Sequence, residues 1–62
     1  MERSAYSLAI GDYIYLEQVN GEVITRNTPA EITGRWSHGP CITVLTTRGY
    51  VELDEFEIVK VA

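Results

Sequence analysis

Apolar and polar side chains alternate with a period of two along most of the chain, and no window sustains the spacing of an amphipathic helix. In "GDYIYLEQV", Gly11 to Val19, Ile14 and Leu16 alternate with Tyr13, Tyr15 and Glu17. That predicts a strand with one aliphatic face and one aromatic and polar face. Asn20 and Gly21 follow, and both tolerate the positive φ of a type I′ turn, so "EVIT" is predicted to return antiparallel to the first strand. The next stretch, "RNTP", is rich in strand breakers, and Pro29 has no amide to donate; a loop is predicted there, with a new strand from Ala30. Within "AEITGRW", period two puts Ala30, Ile32 and Trp36 on one face, with Glu31, Thr33 and Arg35 toward water. Gly34 falls on the apolar face, where a missing side chain permits a sharp bend or the close approach of other atoms.

"SHGP" combines Ser37, Gly39 and Pro40 between two strand-like runs and reads as a turn, with His38 at its exposed tip. "CITVLTT" is β-branched and predicts a strand buried substantially on both faces, and "RGYVEL" turns at Gly49 into another short strand. "DEFEIVKV" interrupts the alternation, as a single helical turn before a last strand does. The fold class is therefore all-β: a small barrel of five or six short antiparallel strands with one short helical turn near the C-terminus. So many short strands bury their apolar faces only if the sheet curls on itself. The predicted core is Ile14, Leu16, Val23, Ala30, Ile32, Ile42, Val44, Val51, Phe56 and Val59, with Trp36 against the core or its rim and Cys41 a small buried hydrophobe. The 62 residues form a single domain, with 10–61 as the barrel and 1–9 as a poorly ordered N-terminal extension.

Size and composition narrow the picture. A core this small rarely supplies more than about 3–5 kcal/mol of net stability without a staple. The single Cys41 cannot close an intrachain disulfide, and one Cys with one His falls short of a structural zinc site, so self-association is the remaining common device. No apolar run approaches the roughly 20 residues that span a bilayer, and "MERSAYSLAIG" lacks the features of a signal peptide, so the cytoplasm is the expected location and no membrane is an expected partner. The balance of 5 basic and 9 acidic residues, net −4, opposes a polyphosphate partner, which requires clustered cations. Four of the acids crowd into "ELDEFE", which reads first as a solvated face, with a docking edge for a basic partner as the alternative. Such brevity suits a product of a phage or another mobile element.

The order of these signals, with "GDYIYL", a hairpin excursion, "PAEITGRW", "CITVLTT", "GYVEL" and a closing "DEFEIV", resembles the SH3-like small barrels over residues 10 to 61, as in one family of small photosystem I proteins and in KOW domains. The resemblance implies that residues 17 to 29 form an arm and that "SHGP" is the tip of a distal hairpin. As evidence it bears on fold far more than on function.

The candidate chemistry is sparse. Cys41 with His38 as base lacks the orienting third group and the oxyanion hole that nucleophilic catalysis needs. Asp54, Glu55 and Glu57 share one solvent-exposed turn, whereas acid and base roles require contrasting environments. A domain of this size is not expected to hold a pocket of the usual roughly 300 Å³. The type II dihydrofolate reductases are SH3-like barrels that build a pore from several chains, and "GYVELDEFEIV" is similar to their closing region; but their Val-Gln-Ile-Tyr motif is replaced by Val51, Glu52, Leu53 and Asp54, whose acids repel anionic substrates. No catalytic, metal or cofactor site is expected within one chain.

What remains is aromatic. Tyr13, Tyr15, Trp36 and Tyr50, with Glu52, Asp54 and Glu55 as a charged rim, form the candidate partner-binding set of a non-catalytic protein-binding module, accessory subunit or regulator; the alternative is that the tyrosines cover the bottom of the barrel or fill a second small core. The competing reading is nucleic-acid binding, with the aromatics stacking on bases and Arg26, Arg35 and Arg48 meeting phosphates. Net charge disfavours it.

Overall fold

Each alternating stretch becomes a strand, and each Gly-bearing break becomes a turn. A computed structural model describing residues 1–62 contains β1 (Glu2–Ser4), β2 (Tyr13–Val19), β3 (Glu22–His38), β4 (Cys41–Thr46), β5 (Gly49–Asp54) and β6 (Ile58–Lys60), with one 3-10 turn at Ala5–Ser7. All pairings are antiparallel. β2, β3, β4 and β5 form one sheet in that order, and β1 pairs with β6. A bridge between Ile14 and Val61 joins the two sheets, supported by the Ala62 amide donating to the Tyr13 carbonyl at 2.9 Å. The larger sheet curls into a half-barrel: β2 lies against β5 although two strands separate them, and the Glu52 amide of β5 donates to Gln18 Oε1 of β2 at 2.8 Å.

The predicted Asn20-Gly21 turn is present, with φ of 52° and 82° and Val19 opposite Glu22. The loop predicted at "RNTP" is not. β3 runs unbroken for 17 residues, pairing with β2 up to Glu31 and with β4 from Ile32 onward. Between Thr25 and Ala30 the ladder is interrupted, and Arg26 to Pro29 bulge opposite Tyr15. A residue without an amide proton is tolerated at such a bulge, because no ladder hydrogen bond is required of it there. A second irregularity lies between Ile32 and Gly34.

The N-terminal segment contributes to the packed domain. β1 pairs with β6, the Ala5 and Tyr6 amides donate to the Glu57 and Glu55 carbonyls at 2.8 and 2.9 Å, and Arg3 pairs with Asp12 at 2.7 Å. Ala5 and Leu8, three residues apart, point together into the core from the 3-10 turn and are fully buried. Seven of the predicted core residues are buried: Ile14, Ala30, Ile32, Ile42, Val44, Val51 and Val59. Leu16 is half-buried and packs against them. Val23 is exposed, because it stands near the turn of the β2–β3 hairpin, away from the core. Phe56 is 81% exposed, because it occupies the turn closed by the Glu57 amide on the Asp54 carbonyl. Ala5, Leu8, Leu53 and Val61 complete the core instead. The break at "DEFE" is thus one hydrogen-bonded turn, and the 3-10 turn sits near the other end of the chain. No helix is long and apolar enough to cross a membrane.

Candidate functional site

The second bulge decides which way Trp36 points. Ile32 is opposite Thr46 and Gly34 is opposite Leu45, so Thr33 is an extra residue in β3. One extra residue reverses the faces of everything after it. Arg35, predicted to face water, is half-buried and paired with Val44 at the edge of the core, while Trp36, predicted to face the core, is 48% exposed on the outside. Gly34 now lies beneath the indole: a Cβ there would come within 2.9 Å of Trp36 Cη2 and 3.4 Å of Leu45 Cβ. The Gly therefore makes room for the ring.

Cross-strand partners share a face. Trp36 is opposite Thr43 on β4, Thr43 is opposite Glu52 on β5, and Leu45 is opposite Tyr50. Tyr50 is 59% exposed, and its ring centroid is 5.9 Å from that of Trp36 with the planes tilted by 44°. At the far end of the row His38 Nε2 is 2.8 Å from Thr43 Oγ1. Trp36, Ser37, His38, Thr43 and Tyr50 line a cleft of about 450 Å³. It exceeds the volume expected of so small a domain because it is an open groove on a sheet surface, with no enclosed pocket required.

The other predicted residues lie elsewhere or at the margin. Glu52 and Asp54 are exposed on the outer face of β5, alternating with buried Val51 and Leu53. Glu55 is half-buried and works through its backbone, its amide donating to the Pro40 carbonyl at 2.9 Å and its carbonyl accepting from Tyr6. Tyr13 and Tyr15 are on β2, beyond β3 from the cleft: the Tyr13 hydroxyl is 3.5 Å from Glu31 Oε1, and Lys60 Nζ is 5.5 Å from the centroid of half-buried Tyr15. The aromatic set is thus divided, and the cleft brings together only Trp36 and Tyr50.

The basic residues are engaged at other points. Arg3 pairs with Asp12 and Arg26 with Glu17. Arg35 donates to the Tyr6 carbonyl at 2.6 Å and lies 5.4 Å from that ring. Arg48 donates to Thr28 Oγ1 at 3.3 Å, while its Nε and Nη2 are buried without partners. None of Arg26, Arg35 and Arg48 lines the cleft. Cys41 is half-buried and free, and the neighbouring His38 has Thr43 as its ring partner.

Sequence reasoning missed Gly34, Thr43 and His38 as parts of this surface, and Tyr6 as an exposed aromatic. Gly34 carried the one usable signal, a Gly two residues before the only Trp. Comparisons with protein-family models, with curated proteins and with solved structures return no match.

Proposed function

We propose that the protein is a non-catalytic binding module whose protein partner docks on the outer face of β3, β4 and β5. One observation carries this reading: Trp36 and Tyr50 stand in contact and half-exposed on that face, over a Gly that leaves room for the indole. Large, rigid aromatic side chains give much contact area for little conformational entropy, and Trp and Tyr dominate binding hot spots. Glu52 and Asp54 supply a polar rim. The order of elements, with a β2–β3 hairpin, a β3–β4–β5 meander and a turn before the last strand, is compatible with a small SH3-like barrel.

The test compares immobilised wild-type protein with its Trp36→Ser, Tyr50→Ser and Tyr13→Ser variants in an extract of its own cells. The expected result is a partner retained by wild type and Tyr13→Ser and lost by the other two. All should melt within about 8 °C of wild type, the shift that roughly 1 kcal/mol produces in a small domain. Equal retention by all four proteins, or unfolding of the Trp36 and Tyr50 variants, contradicts the reading.

A further inference from the structure

We infer that the Trp36–Tyr50 cleft takes an arginine side chain of the partner, with Glu52 as its countercharge. This rests on the docking face proposed above and adds the chemistry of what docks there.

The chain's own cations point to it. Tyr6 has Arg35 at 5.4 Å from its centroid, and Tyr15 has Lys60 at 5.5 Å, so two of the aromatic surfaces hold a cation within the roughly 6 Å over which a ring face attracts one. The Trp36–Tyr50 pair has no such resident. It holds the only Trp, the strongest of the π faces. None of the five basic side chains lines the cleft: Arg3 pairs with Asp12, Arg26 with Glu17, Arg35 packs on Tyr6 and Lys60 on Tyr15, while Arg48 touches Thr28 with its Nε and Nη2 buried and unpaired. Any cation on this cleft must come from outside.

The anionic half of the complement is present as well. Glu52 projects from the face that carries Tyr50, two residues along β5 and so about 7 Å away, and next to Thr43 across the strand gap. The salt bridges of the molecule involve only Asp12 and Glu17, which leaves Glu52 and Asp54 without a counterion. A net charge of −4 attracts a basic segment at long range. Arginine fits better than lysine, because a planar guanidinium stacks on an indole and still presents its edge to a carboxylate, while an ammonium is a more strongly hydrated point charge.

Trp36 is the sole Trp, so its fluorescence reports the cleft directly. The test titrates wild type and Glu52→Gln with a capped Gly-Arg-Gly-Arg-Gly peptide, with its citrulline counterpart, which keeps the shape and loses the charge, and with a single-stranded oligonucleotide. Expected are a saturable change with the arginine peptide, binding about tenfold weaker for citrulline, and binding about two- to fivefold weaker for Glu52→Gln. Equal binding of arginine and citrulline peptides overturns the inference and leaves the docking face standing. No saturation by roughly 5 mM peptide overturns it too, and a response to the oligonucleotide instead transfers the cleft to nucleic acid. The partner-retention experiment decides the docking face independently, because it needs no assumption about charge.

Discussion

Gly34 and Trp36 show how much one position governs. The sequence marked Gly34 as a place where something comes close, and the indole does. Period two put Trp36 on the core face, while its place at the core's rim and in the binding set left it a surface role; the structure turns it outward, because the extra residue Thr33 reverses the register without leaving a mark in composition or alternation. Val23 and Phe56 failed for a related reason: an apolar residue in a period-two pattern is buried only if its part of the strand lies over the core, and a hairpin end or a turn does not. These geometries give Gly34→Ala a specific consequence. The new methyl group must displace the Trp36 ring, while the core beneath is untouched and the unfolded chain loses some freedom. The expected outcome is a shifted Trp36 emission maximum with stability changed by no more than about 1 kcal/mol. An unchanged spectrum would mean that the ring does not rest on Gly34.

At the scale of elements, turns were legible and continuity was not. Asn20-Gly21, Gly39-Pro40 and Gly49 all carry residues suited to positive φ, and each joins two paired strands. Whether a strand ends at a proline depends on its neighbours, and at Pro29 the bulge opposite Tyr15 lets β3 continue. The N-terminal contribution escaped detection because β1 has three residues with no apolar alternation, and because Ala5 and Leu8 repeat at a spacing of three that belongs to neither a strand nor a full helix. Their burial makes the segment integral to stability. Leu8→Ala is expected to cost about 2–5 kcal/mol, comparable with the whole stability of a core this size, so thermal and urea unfolding should show a largely unfolded variant. A melting midpoint within a few degrees of wild type would show that the segment is dispensable.

For the molecule as a whole, the distribution of charge matters more than its sum. No cation lies on the cleft, the salt bridges use only Arg3 and Arg26, and the acids on the outer face of β5 and the Trp36–Tyr50 pair are left for an external cation. Net charge and the all-β class are legible in the amino-acid sequence alone. The grouping of aromatics is not, because it depends on which strands lie side by side: Tyr13 and Tyr15 stay on β2 and the cleft forms across β3, β4 and β5. Amide chemical-shift mapping of isotope-labelled protein during addition of the arginine peptide tests the central claim most directly. Shifts confined to residues 34–38, 41–45 and 49–54 and to the Trp36 indole are expected; shifts centred on Tyr13 and Tyr15, or none, would contradict the account.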